Sequence, residues 1–454
     1  MDNRTTRVIA ALLLSAVALT ACSESETASN NADGNGSTTT APNVGGAVKA
    51  KKGDGSVVSK FAGADWLLGT VPSAATAANK EGEPLRVGFI GTDSGPIAAM
   101  PELHQAIDAS VAFINAELGG LKGRPIELVP CEADATPEKS IACARKMIAE
   151  KVVAVLGGLD IVAGSAVKIL EENGIAWVGG IPLDQGEMES TYAFQFSGGS
   201  AGAFTAFADH AAHTLKAKNV SVVYMELPQV STAAKEYGVN LLEKFGVHVT
   251  AVPFDFGTQD YAAVVQKADE SNPDAIIVGA ADFACPKAMQ AIVDLNIDAT
   301  IYMVGSCADP KWLEQVGIEK LQGVIFNIEN RLTQTASTSA DTEVYTAVIE
   351  KYGNGVNARG AATVSFRSMM NLYAVMAEID GDITPEAIVK AFRAAEDHPS
   401  FDGHPFTCDG KQIPGLRSLC APQQVLARLD GPHADSLVEA SDGWVDVPAI
   451  LAAK

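Results

Sequence analysis

Basic residues are scarce in this chain. Its 454 residues carry 33 Lys and Arg against 55 Asp and Glu, a formal net charge of −22. That deficit argues against a nucleic-acid partner and against a basic membrane-binding face. It does not identify a solute, because most surface charge is simply solvated. Catalytic signatures are missing as well. There is no Walker loop, no Gly-x-Gly-x-x-Gly dinucleotide fingerprint and no His-Glu-x-x-His zinc helix. Cys-x-x-Cys and histidines paired at ligand spacing are also absent, which counts against a metal site. No cofactor and no metal are expected, and the protein is not expected to be an enzyme. Past the N-terminus, no segment is long and apolar enough to span a bilayer.

The N-terminus carries an export signal. Arg4 and Arg7 precede an apolar run from Val8 to Leu19, about the length of a signal-peptide core. It ends in Leu19-Thr20-Ala21-Cys22, which resembles the lipobox of bacterial lipoproteins. The resemblance implies cleavage after residue 21 and a diacylated Cys22; the alternative is a chance cysteine after an ordinary signal peptide. Two acyl chains suffice for stable anchoring, so contact with the cell membrane is expected only through lipid, on its extracytoplasmic face. Residues 22–57 are rich in Ser, Thr, Asn, Ala and Gly and cannot bury enough apolar surface to order themselves. A flexible tether of that length reaches roughly 30 Å on average. Residues 58–83, with Trp66-Leu67-Leu68, are too apolar for pure linker and are expected to dock on the body.

Six cysteines remain once Cys22 is assigned to lipid, and they fall into three local couples: Cys131–Cys143, Cys285–Cys307 and Cys408–Cys420. Six cysteines allow about 15 connectivities, and local pairing is the reading favoured here. Each short loop closed would contribute roughly 3 kcal/mol in the chain-entropy model. The rival is a metal site.

From Arg86 onward strands and helices alternate. Val152–Leu156, Ile175–Val178, Val220–Tyr224, Val247–Val252, Asp274–Val278, Ile301–Val304 and Gly323–Phe326 read as strands separated by helical segments. This pattern implies βαβ units and an α/β fold with two doubly wound parallel-sheet lobes. In the first unit, Leu103, Ile107, Val111, Ile114 and Leu118 mark a buried helix face. Gly119 and Gly120 end that helix, and Pro125 opens the next strand. Together with the strand Val87–Gly91, the segment Asn115–Val129 closely resembles the first βαβ unit of the leucine/isoleucine/valine-binding protein family, the solute-binding proteins of ABC importers. Thr136-Pro137-Glu138, Thr258-Gln259-Asp260-Tyr261, Asn272-Pro273-Asp274-Ala275 and the run Phe366–Met376 resemble later parts of the same pattern, in order.

The resemblance implies a type I periplasmic binding fold whose chain crosses between lobes three times. It places lobe 1 at residues 84–203 plus 330–403 and lobe 2 at 204–329 plus 404–454. It also implies a small-molecule solute, an ABC permease with cytoplasmic ATPase subunits as partner, and a monomer. A sensing module of a signalling system is an open alternative, as is a branched-chain amino acid binder. A third alternative comes from Gly198-Gly199-Ser200-Ala201-Gly202, which matches the hydrolase nucleophile elbow with Ser200 as nucleophile. The same glycines suit a hinge at the first crossing.

Ligands of open α/β sheets sit beyond the carboxyl ends of the strands. First-lobe candidates are therefore Thr92, Asp93 and Ser94, then Leu159 to Val162 with Asp160 and Ile161, and Ile181 to Gln185 with Leu183 and Asp184. Second-lobe candidates are Glu226, Gln229, Asp282, Phe283, Ser306 and Asp309. Helix capping is the competing role for Asp93, Ser94, Asp160 and Asp184. Amino-acid-binding members of the family carry Ser/Thr-rich loops after these first-lobe strands. Here the loops read Gly157-Gly158-Leu159-Asp160-Ile161-Val162 and Gly179-Gly180-Ile181-Pro182-Leu183-Asp184, without a hydroxyl and with one aspartate each. A small neutral, amide-like or apolar solute is therefore expected rather than a simple free α-amino acid, with Asp160 and Asp184 repelling carboxylates across the cleft.

Overall fold

The computed structural model describes residues 55–453, apart from 96–98, 281–283, 331–338, 357 and 359 and the side chains of residues 228 and 229. The expected signal peptide, Cys22, nearly all of the expected tether, Asp282, Phe283 and the Gln229 side chain lie outside the described residues. Among the described residues no helix is long and apolar enough to cross a membrane.

The described chain opens with the short helix Val57–Phe61 and a hairpin, β1 (Asp65–Trp66) and β2 (Gly69–Thr70). Val57, Val58, Phe61, Trp66 and Val71 are buried in the first-lobe core, and Trp66 meets Phe113 edge-on at 6.3 Å. The backbone N–H of Val58 donates to buried Glu117 at 3.0 Å, and Lys351 and the Tyr352 hydroxyl donate to the same carboxylate. Those three donors offset the cost of burying the charge.

Five parallel strands follow: β3 (Leu85–Gly91), β4 (Ile126–Glu132), β5 (Ala154–Gly157), β6 (Ala176–Val178) and β7 (Ala193–Phe194), in the order β4-β3-β5-β6-β7. The helix Pro101–Glu117 ends where sequence places the glycines. Gly119 and Gly120 have φ of +81° and +66°, and a Cβ on Gly120 would lie 2.1 Å from the Arg124 carbonyl. One face of this sheet is covered by the helices Pro101–Glu117, Asp341–Tyr352 and Ala362–Glu378, the other by Pro137–Ala149 and Gly164–Glu172. The Ala362–Glu378 helix is buried at nearly every position from Ser365 to Met376, as expected of a helix apolar around most of its circumference.

The second lobe is a seven-stranded sheet of β8 (Asn219–Met225), β9 (His248–Phe254), β10 (Ala275–Gly279), β11 (Thr300–Met303), β12 (Ile325–Ile328), β13 (Val425–Leu429) and β14 (Leu437–Glu439). Its order is β14-β13-β12-β11-β10-β8-β9. It is not wholly parallel, because β13 and β14 run antiparallel to their neighbours. The chain leaves at the end of β12 and re-enters beside it, so Val425 pairs with Ile328 and β13 runs back along β12.

That re-entry corrects one expected boundary. Phe406, Cys408, Cys420 and Ala421 pack in the first-lobe core, whereas Ile413 and Leu419 pack with Ala201 and Val447, so the segment 404–421 is shared between the lobes and the last crossing into the second-lobe sheet runs through 422–424. Three disulfides close with Cα separations of 5.5, 5.2 and 4.5 Å: Cys131–Cys143, Cys285–Cys307 and Cys408–Cys420.

Candidate ligand-binding cavity

The carboxyl ends of both sheets face one space between the lobes, where open α/β proteins place their ligands. A cavity of about 610 Å³ occupies it, within the usual range for small-molecule sites. At the strand ends its first-lobe wall is apolar, while the helices Asp341–Tyr352 and Ala362–Glu378 add Thr346 and Thr363 to the lining. Leu159 follows β5, Ile181 and Leu183 follow β6, and Met100 stands at the mouth of the Pro101–Glu117 helix. These pack as one cluster with Leu103, Ala361 and Val364. The second lobe adds Leu227, Val230, Ala280, Val304, Ser306, Ala308 and Leu437. Polar groups gather at the base: Ser197, Asn327, Glu329, Thr342, Arg367 and Asp402. Among the described lining residues the one cation is Arg367, and it is already paired with Glu329 at 3.4 Å.

The two loop aspartates do not line this cavity. Asp160 is buried, accepting from the Ser140 hydroxyl and from the Val162 N–H at 3.1 Å. Burial raises its pKa, against the pull of those bonds. Asp184 caps the helix Gln185–Glu189, accepting from Glu187 N–H at 3.2 Å and from Gly164 N–H at 3.0 Å. The expected repulsion of carboxylates by Asp160 and Asp184 is therefore withdrawn: both carboxylates are held by donors behind the wall. Each loop instead turns the preceding leucine into the cavity.

The other first-lobe candidates support the wall rather than form it. Thr92 is buried, and its backbone bonds Leu159 and Met100 at 2.9 and 2.8 Å. Asp93 accepts from His104 at 2.6 Å, and Ser94 donates to Glu132. Ile161 is half-buried outside the lining. In the second lobe Ser306 lines the cavity, whereas Glu226 is exposed and Asp309 caps the helix Pro310–Val316. Ser200 lines the cavity too, yet no described histidine bonds it. His210, the closest in sequence, bonds Tyr302 and the Ala440 carbonyl. The triad geometry a hydrolase needs is not formed by these groups.

Sequence reasoning puts a lobe crossing near Asn327–Glu329 but names none of Glu329, Arg367 and Asp402 as a site residue. Arg367 did leave a signal: a cation inside the apolar run Phe366–Met376 calls for a buried partner. That partner, Glu329, lies at a lobe crossing.

The sequence pattern of the family described as periplasmic binding protein matches residues 84–415. The chain belongs to this family. Among solved structures, the leucine-binding protein LivK of Thermotoga maritima superposes with a TM-score of 0.65 at 19% identity, over 79% of this chain and 98% of LivK. LivJ of Streptococcus pneumoniae, solved with isoleucine, gives 0.64 at 18% identity, over 79% and 100%. An ABC-transporter solute-binding protein of Rhodopseudomonas palustris HaA2, solved with p-hydroxybenzoic acid, gives 0.67 at 19% identity, over 80% and 97%. No curated protein matches the chain in sequence. At such identities these likenesses establish the fold; the solute is a separate question.

Proposed function

We propose that this periplasmic binding protein is a lipid-anchored solute-binding component of an ABC importer, closing its lobes over a small neutral solute with a largely apolar body. The observation that carries this reading is the first-lobe wall. Leu159, Ile181 and Leu183 stand at the strand ends, where amino-acid-binding relatives are expected to present hydroxyls. Burying an apolar group against such a wall is worth roughly 25 cal/mol per Å², whereas an ammonium or carboxylate placed there loses its hydration without gaining a partner. Superposable proteins carry isoleucine in one case and p-hydroxybenzoic acid in another, so this fold accommodates aliphatic and aromatic bodies alike.

Capture by hinge closure is supported by a cavity lined by both lobes. A solute docks on one lobe, draws the second over it, and the loss of water strengthens the polar contacts at the base. The closed form is then the one the permease would recognise. The test is a thermal-shift screen against amides, ureas, aromatic compounds and amino acids, followed by small-angle scattering. A true solute at 100 times its dissociation constant adds about 2.7 kcal/mol of stability and lowers the radius of gyration. A confirmed, saturating solute that leaves the radius unchanged contradicts closure.

A further inference from the structure

One carboxylate touches all three crossings. Glu329, at the end of the second, accepts through Oε1 from the Ser197 hydroxyl and the Gly198 N–H of the first crossing, each at 2.9 Å. The same oxygen accepts from the Gln424 amide of the third at 3.0 Å. Gln424 in turn accepts from Asn327 at 2.8 Å, and Asn327 accepts from the Gly305 N–H at 2.8 Å. Gly305 adjoins Ser306 in the second-lobe wall. From the first lobe, buried Arg367 donates to the Glu329 carboxylate and carbonyl and, at 2.9 Å, to the Phe196 carbonyl. The first and third crossings are pressed together at this point. A Cβ on Gly198 would stand 2.6 Å from the Pro422 carbonyl and 2.7 Å from the Gln424 amide.

We infer that Glu329 is the positioning residue that sets the resting angle between the lobes and couples it to the cavity. Each crossing alone is a few residues outside regular secondary structure, free to rotate about its own φ and ψ. Bonded to one acceptor, no crossing turns without breaking a bond to another. Charge-assisted bonds in a site shielded from water are the stronger kind, and the Glu329 side chain is only 15% exposed. Glu329 and Asn327 also line the cavity, so a solute competing for their polar atoms acts on the hinge directly. The inference deepens the solute-binding reading, but its test needs no solute, so the two fail separately.

The experiment is inter-lobe distance measurement by electron paramagnetic resonance on the full chain. One non-cysteine spin label is placed on the exposed surface of each lobe, with no solute added. The wild-type protein should give one narrow distance distribution. Glu329→Ala should broaden it at least twofold, and Glu329→Gln, which keeps an oxygen toward Ser197 and Gly198, should restore most of the narrowness. Gln424→Leu, which frees only the third crossing, should broaden it less. An unchanged distribution in Glu329→Ala, whatever its melting temperature, overturns the inference by leaving a merely structural role. Should that variant fail to fold, an unchanged distribution in Gln424→Leu overturns it equally.

Discussion

The first-lobe wall of the cavity and the layer of crossings beneath it use their polar groups in opposite ways. In the wall, two loops carry the same Leu-Asp pair, and both turn the leucine in and the aspartate out. The acids serve helices and backbone behind the surface, and of each pair only the leucine lines the cavity. In the crossing layer the polar groups face the cavity but are already bonded to one another, through Glu329, Gln424, Asn327 and Arg367. On the proposed reading the wall selects by shape and apolarity. The base, on the inference drawn above, holds the lobes in register. A charged residue in a binding loop is thus no guide to ligand charge until its partner is known.

The comparison can be broken at the base first. Arg367→Met leaves the Glu329 carboxylate without its guanidinium in a buried site, where losing one partner of an ion pair costs about 3–5 kcal/mol. Urea denaturation should show that loss, and a change below 1 kcal/mol would mean the pair contributes little. Next is the second-lobe wall, where Cys307 stands between the lining residues Ser306 and Ala308 and is tied to Cys285. The double replacement Cys285→Ser, Cys307→Ser should cost about 3 kcal/mol in the chain-entropy model and also weaken solute binding. Stability loss with affinity intact would show that the wall holds without the disulfide.

The first-lobe wall allows a sharper separation. Leu183→Ala should weaken an apolar solute by up to about 2 kcal/mol, or roughly 30-fold, with little change in melting temperature. Asp184→Ala should do the reverse, costing about 1 kcal/mol of stability through the lost cap and leaving affinity alone. Calorimetry on both variants checks it; equal losses of affinity would put Asp184 back in the cavity.

Behind the wall, Glu187 is wholly buried, accepting from the Trp177 indole at 2.9 Å and Gln195 at 2.7 Å. Burial, and then the charge of Asp184, raise its pKa well above the ordinary 4.5. The folded state therefore binds this proton more tightly than the unfolded state does. Its contribution is full below about pH 4.5 and is lost as pH rises from there through the raised folded value. Glu187→Gln keeps an oxygen for both donors and needs no proton, so denaturation curves above pH 4.5 should flatten relative to wild type. Parallel curves for the two proteins would refute that role.

Much of the architecture was legible because it is local. Strands such as Ile276–Val278 are buried on both faces and read as β-branched runs. The three cysteine couples lie 12 to 22 residues apart, and the apolar stretch at Trp66 could only be docked. The cavity was legible in position, since strand ends locate it, but not in polarity. Whether Asp160 faces solute or Ser140 depends on a helix packed 20 residues away in sequence. The crossing layer was least legible of all. Ser197 and Glu329 are 132 residues apart, and Gln424 lies 95 residues beyond Glu329. Their meeting is a product of the completed fold. The misplaced last crossing has a similar cause: nothing local in residues 404–421 marks that Phe406 and Cys420 complete the first-lobe core.

The most direct test of the apolar wall is isothermal titration of leucine into the wild-type protein, beside a panel of neutral amides and aromatic compounds. The account predicts no micromolar binding of leucine and at least one neutral apolar compound that binds and loses affinity in Leu183→Ala. Micromolar leucine binding, insensitive to Leu183→Ala, would contradict it.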